Sequence, residues 1–185
     1  MKEIALPVRI EGTRLLLKKL ELRWSKMIFD VIEKERERLS VFLSGIRMSK
    51  TLEDQEAYIK KTEDSWDSMI SFDYAIFLQG EETYIGNIGI HSISWKDGRG
   101  EIGYWISQEF EGKGYISESI ELLEKILFSL GFHRLEIRCS PLNEKSVNVA
   151  KRLHYRQEGH LRENILEEDV YRDTFIFAKL ASERS

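Results

Sequence analysis

The residues best suited to chemistry lie between 110 and 119, where the chain reads FEGKGYISES. Gly112 and Gly114 bracket Lys113. A strand-like stretch, GEIGYWIS, precedes them and a polar, helix-compatible run follows. A bare backbone at such a hinge suits a phosphate. The first-turn amides of a helix have no intrahelical partner and sit at the positive end of the helix dipole. Glycines let that main chain approach the anion without a Cβ in the way. Lys113 offers a charge-assisted contact or a solvated side chain.

Two common phosphate loops do not fit. A Walker A loop would place its first glycine at Ser107 and its Ser/Thr at Gly114. A dinucleotide fingerprint would need Gly or Ala at Ser117 and an acid closing the next strand, which instead ends in Arg138 and Cys139. That loop also follows an antiparallel meander rather than opening a βαβ unit.

The elements around the hinge are legible from periodicity. TRLLLKKL (13–20) reads as a strand, 25–42 as a helix, and a second helix starts at Thr51, a good N-cap followed by Glu53 and Asp54. The period then switches to two: 74–79 and 84–93 form a hairpin, and after the KDGRG turn 101–107 is the third strand of a meander. Beyond the glycines, Ile116, Ile120, Leu123, Leu127 and Leu130 line one helical face, which Gly131 terminates. A strand at 133–139, a helix at 143–155 and two strands, 156–162 and 170–180, close the chain. A meander followed by β–α–β crossovers predicts one mixed α/β sheet of about seven strands, with helices on both faces.

Composition narrows the function classes. The chain has 185 residues, 42% hydrophobic and 32% charged, which predicts a single packed domain over 1–185. Its net charge of −4 with interspersed signs gives no basic stripe, so no direct nucleic-acid partner is expected. The run EKERERL (33–39) reads as a solvated helix face. One cysteine, Cys139, fits a reducing compartment and reads as a small core residue. No apolar run approaches the ~18 residues of a membrane span, so a soluble cytoplasmic protein without a membrane partner is expected. The four histidines show no metal-ligand spacing, and no metal is expected.

Four segments in order resemble the GNAT N-acetyltransferases, and the RimJ/RimL type of ribosomal-protein N-terminal acetyltransferase most strongly. GEIGYWISQEFEGKGYISES is similar to the family's core strand–loop–helix, and NEKSVNVAKRLHYRQEG to its companion motif. TRLLLKKL and VYRDTFIFAKL complete the likeness over about residues 10–180. The resemblance implies a mostly antiparallel sheet whose central strands splay, with acetyl-CoA as co-substrate. Its pyrophosphate would lie on Glu111, Gly112, Lys113, Gly114, Tyr115, Ile116 and Ser117, and its pantetheine arm along Tyr104, Trp105 and Ile106. The strand glycine Gly103 marks a bulge or close approach there. Departures are Glu111 where the family has Gln or Arg, Ile116 where it has Gly or Ala, and Ala150 where many members carry a tyrosine acid. Glu111 is electrostatically unhelpful beside a pyrophosphate unless it turns away.

The resemblance also implies the chemical roles. Glu101 would act as base through a water, or else pair within the sheet. Ser146 would protonate the leaving thiolate. Asn143 would orient pantetheine or cap its helix. Backbone amides at Trp105–Ile106 would polarise the thioester carbonyl. Asp173 would line the acceptor site or hold the last strand. A free α-amine of pKa ~7.8 is neutral about once in six to eight molecules at pH 7, a lysine amine of pKa ~10.4 about once in 2,500. An α-amine acceptor, such as a ribosomal or other protein N-terminus, therefore needs far less from the base. Small amines (polyamines, aminoglycosides) are the alternative acceptors, and a non-catalytic acyl-CoA sensor is the alternative of another class. Glu163, Glu167, Glu168 and Asp169 suit a basic peptide groove or simply a solvated loop. Monomer and homodimer both remain open.

Overall fold

A computed structural model describes residues 2–167 and 169–183. Strands β1 (Arg9–Glu11) and β2 (Leu15–Lys19) precede helices α1 (Ser25–Ser40), α2 (Ser44–Met48) and α3 (Leu52–Asp67). The meander is β3 (Phe72–Leu78), β4 (Tyr84–Ser94) and β5 (Arg99–Ile106). Helix α4 (Tyr115–Ser129), strand β6 (Arg134–Cys139), helix α5 (Glu144–Arg152) and the hairpin β7 (Arg156–Glu167) and β8 (Val170–Leu180) follow. All eight strands form one sheet in the order β1-β2-β3-β4-β5-β6-β8-β7. Its pairs are antiparallel except β5–β6.

That is one strand more than the seven expected. β1 is three residues long between Pro7 and Gly12, too short to show a period of two. The five-residue helix α2 escapes periodicity for the same reason. The longer elements form where local chemistry dictates. Thr51 and Asp54 make a reciprocal capping box at the start of α3. Gly131, at φ 96°, supplies the left-handed residue that stops α4.

Each face of the sheet has its own core. Ile120, Leu123 and Leu127 of α4 and Val147 and Ala150 of α5 pack on one face, against Ile102 and Ile137. Ile28 and Ile32 of α1 and Ile59 of α3 pack on the other, against Leu16, Ala75 and Phe77. The feature that positions the site lies between them. β5 and β6 pair only at Arg99–Arg134, Gly100–Leu135 and Glu101–Glu136. Beyond Glu101, β5 stays with β4 as far as Ile106, while β6 stays with β8 as far as Cys139. The sheet therefore opens into a V just past Glu101. Among the described residues, no helix is long and apolar enough to cross a membrane.

Candidate active site

The V leads into a cleft of about 730 Å³, within the usual range for small-molecule sites. Its walls are the end of β5 (Tyr104, Trp105, Ile106), the loop and first turn of α4 (Glu111, Gly112, Gly114 to Ser117), the start of α5 (Asn143, Ser146) and α1 (Arg38, Leu39). Every residue expected to hold the cofactor lines it except Lys113, whose ammonium lies 5.2 Å from the centre of the Phe110 ring.

The floor of this cleft is an uncapped helix. Gly112 and Gly114 take φ of 72° and 79°, the left-handed region that favours glycine. Gly114 is the N-cap of α4 and, lacking a side chain, gives no cap bond. The first amide to find an intrahelical acceptor is that of Glu118, on the Gly114 carbonyl (3.1 Å). The residues before it, Tyr115, Ile116 and Ser117, line the cleft, and their helix start has no side-chain cap, whereas α3 and α5 are capped by Thr51 and Asn143. Asn143 accepts from the Ser146 amide at 3.1 Å, so its helix-capping bond is made.

Glu111 turns away from that floor. Its carboxylate accepts from Arg38 Nη1 (2.8 Å) and Lys145 Nζ (2.5 Å). Arg38 also donates to the Ile106 carbonyl at 2.9 Å and to Glu35. Glu35 in turn takes the Ser107 hydroxyl (2.5 Å) and the Gln108 amide (3.0 Å). Burial works to raise the Glu35 pKa, but the bonds from Ser107, Arg38 and Gln108 outweigh it and hold the carboxylate below its ordinary value. The reading of 33–39 as a solvated face holds for Glu33, Lys34 and Glu37, which are exposed, and is corrected for Glu35 and Arg38. Glu35 and Arg38 turn inward and clamp the end of β5 to α1. A helix charge run shows its signs in sequence but not which rung meets another element.

The two expected chemical groups fall on opposite faces of the sheet. Side chains alternate along a strand, and residues paired across strands share a face. Tyr104 shares a face with Ile102, on the α4–α5 side, and its hydroxyl meets Ser146 Oγ at 2.9 Å. Burial pushes the Tyr104 phenol above its ordinary pKa, against the hydrogen bond it shares with Ser146. Glu101 lies opposite His91 and points to the other face, at the apex of the V. Burial raises its pKa, Arg138 (3.6 Å) and His91 pull it down, and Glu136 adds to the rise. A thioester entering between β5 and β6 would reach from the Ser146 side toward Glu101.

Backbone direction narrows the amide expectation. The Ser107 amide donates to the Ile85 carbonyl at 2.8 Å, and a Cβ on Gly86 would sit 2.2 Å from the Trp105 carbonyl oxygen. Ser107 and Trp105 therefore turn toward β4, which leaves Ile106 and Tyr104 facing the gap. Asp173 accepts from the Glu163 amide (2.9 Å) and pairs with His160 (2.6 Å), so it ties the last hairpin. Cys139 is buried in the core, as expected. Of the acidic run at 163–169, Glu168 lies outside the described residues. Arg14 had no signal in sequence: it donates to the Lys113 carbonyl (3.0 Å) and to Glu118 (2.7 Å), bracing the loop from β2's side.

A family model described as an acetyltransferase (GNAT) domain matches residues 14–156, most of the chain. The protein belongs to the GNAT acetyltransferase family. Among curated proteins it is similar to a ribosomal-protein-serine acetyltransferase of Escherichia coli (strain K12), 31% identical over 101 residues, 54% of this chain and 56% of that protein. An uncharacterised N-acetyltransferase of Bacillus licheniformis is 30% identical over 111 residues, 60% of this chain and 62% of that protein. The chain thus spans under two thirds of the length of these relatives. Among solved structures, RimL, a ribosomal α-N-protein acetyltransferase in complex with coenzyme A, matches with a TM-score of 0.87 at 23% identity. That likeness covers 96% of this chain and 98% of that one, and it is a likeness of fold.

Proposed function

We propose that this protein transfers an acetyl group from acetyl-CoA to a primary amine, and that the natural acceptor is the α-amine of a protein or peptide N-terminus. The observation that carries the reading is the split between β5 and β6 beyond Glu101, with an uncapped helix start at one end and an acid and a hydroxyl on opposite faces at the other. The pyrophosphate of the co-substrate would lie on the free amides of α4, and its pantetheine along Tyr104 and Ile106. Glu101 would draw a proton from the acceptor through a water. The neutral nitrogen then attacks the thioester carbonyl carbon, the Ile106 amide stabilises the oxyanion, the C–S bond breaks, and the thiolate takes a proton from Ser146. Tyr104, bonded to Ser146, would replace that proton and recover its own from the second proton that the acylated nitrogen sheds, carried by water. The similarity to ribosomal-protein acetyltransferases supports the α-amine acceptor.

The test is release of free thiol from acetyl-CoA against peptides with free or blocked N-termini and against polyamines and aminoglycosides. Turnover confined to free N-termini is expected. Preference for a small amine would move the assignment to that class. Tight coenzyme A binding without turnover on any amine would make the protein a sensor.

A further inference from the structure

A second polar group sits behind Glu101, on the same face and with no part in the scheme above. Asp73 of β3 pairs with Gly89 of β4, which pairs with Gly103 of β5; two residues along, His91 pairs with Glu101. Asp73, His91 and Glu101 therefore share one face of three adjacent strands. Asp73 Oδ1 is 3.4 Å from His91 Nε2, and its side chain is only 8% exposed. The other oxygen, Oδ2, is buried without a hydrogen-bond partner. A buried carboxylate with an unmatched oxygen is expensive and calls for an explanation by function. The room for the pair comes from glycines. A Cβ on Gly89 would sit 2.7 Å from Asp73 Oδ1 and 2.9 Å from His91 Nε2, and one on Gly103 would lie 3.4 Å from the His91 ring. The β4–β5 register breaks just after His91, where Ser92 takes φ 49°, a local kink of the kind found beside active sites. His91 is 39% exposed, so its ring joins the buried acid to solvent.

We propose, resting on the acetyltransfer reading, that His91 and Asp73 form a proton exit behind Glu101: His91 takes the proton that Glu101 has drawn from the acceptor amine and passes it to solvent, while Asp73 holds the imidazolium in place. One proton moves from nitrogen through water to Glu101, from Glu101 to His91, and from His91 to bulk water. Glu101 is left ionised for the next turnover. His91 and Asp73 are positioning residues, since neither touches the acetyl group. The charged and titratable groups around the ring are Asp73 from β3, Glu101 from β5, and Arg138 and Glu136 beyond it on β6. The Tyr58 phenol faces Asp73 from α3. Burial raises the Asp73 pKa, and the His91 charge beside it pulls the pKa down.

The test follows the His91 ring resonance by NMR across pH in the parent, Asp73→Asn and Glu101→Gln, alongside pH–rate profiles. Each substitution removes an anion beside the imidazolium, so the His91 midpoint should move to lower pH in both. With a working acceptor, His91→Gln should lower kcat/KM on the order of 10-fold, with partial rescue by added imidazole, and Asp73→Asn should move the acidic limb to lower pH. A midpoint indifferent to both substitutions overturns the relay whatever the enzyme acetylates. A His91→Gln protein that is slower with an unchanged pH profile and no imidazole rescue overturns it as well, because the loss is then structural. Parent protein inactive on every amine defeats the acetyltransfer reading, and the relay with it, even if the resonance responds.

Discussion

The Tyr104 and Ser146 hydroxyls meet at 2.9 Å, one from β5 and the other from the first turn of α5, on the α4–α5 side of the opening between β5 and β6. The pairing explains how a helix with Ala150 at the position of the family's usual tyrosine can still have a phenol at the site. The phenol comes from the strand instead and reaches the gap through the serine.

Ser146→Ala should lower kcat on the order of 10²-fold and leave acetyl-CoA affinity nearly unchanged, because a bond to a departing thiolate matters chiefly in the transition state. Tyr104→Phe should cost less, since Ser146 retains its own proton. Single-turnover rates with a coenzyme A titration on each variant check both. Full turnover in Ser146→Ala would mean that the proton comes from elsewhere.

Glu101→Gln should separate stability from activity. A carboxyl whose folded pKa is raised contributes stability that is present in acid and lost as pH rises from the ordinary carboxylate range through the raised value. At neutral pH, therefore, ionised Glu101 opposes folding, and Glu101→Gln should melt at the same temperature as the parent or higher. Its turnover should fall, and recover as pH rises through the pKa of the acceptor amine. The loss should be smaller for an α-amine than for a lysine, given the few-hundred-fold difference in neutral fraction. Melting curves and pH–rate profiles with both acceptors decide it; a less stable variant with parental turnover would make Glu101 a structural partner of Arg138.

Much of the candidate site was legible in the sequence, because the loop at its base is set by backbone conformation. Gly112 and Gly114 advertise a loop whose φ only glycine adopts readily, and the apolar steps of α4 fix the helix behind it. Thr51 marks the start of α3 by the same local chemistry. What stayed hidden depends on which side chains meet across elements. Nothing in EKERERL says that Glu35 and Arg38 face β5. Nothing in SFDYAIFL says that Asp73 lies beside His91, because strand order and register decide that.

Gly114→Val should weaken coenzyme A binding at least tenfold and leave the fold intact. At φ 79° a branched side chain is strained by a few kcal/mol, and the first-turn amides would shift to relieve it. Far-UV circular dichroism with a coenzyme A titration checks it; unchanged affinity in a folded variant would remove the phosphate from this loop.

Gly86→Ala tests the wall rather than the floor. The new Cβ would fall 2.2 Å from the Trp105 carbonyl oxygen and 2.8 Å from the Ile106 Cα, both backbone atoms that cannot swing aside. The strands must part, at a cost of about 1–3 kcal/mol by analogy with overpacked cores. Because Trp105 and Ile106 line the cleft, coenzyme A affinity should fall too. Urea unfolding and ligand titration measure the two effects; parental stability would show that β4 and β5 have more freedom than their pairing suggests.

Glu111 gives a gain rather than a loss. Its carboxylate sits in the wall of the cleft, beside the loop that would receive the pyrophosphate, and is held by Arg38 and Lys145. Two unit charges ~8 Å apart repel by about 0.5 kcal/mol in water, and by more in a partly buried cleft. A pyrophosphate carries at least two charges, so Glu111→Gln should relieve about 1 kcal/mol or more, a threefold to tenfold tighter coenzyme A complex. The scaffold should hold, because Arg38 keeps its bonds to Glu35 and the Ile106 carbonyl. Lys145, 73% exposed, would be free to join the anion. Affinity should then fall more steeply with salt than in the parent, since a larger share of it is a screened attraction between exposed charges. Titration calorimetry at low and high ionic strength reads both effects. Weaker binding in the variant, with the same salt slope, would mean that Glu111 serves mainly to hold α5 against α1, and that its charge is fully compensated by Arg38 and Lys145.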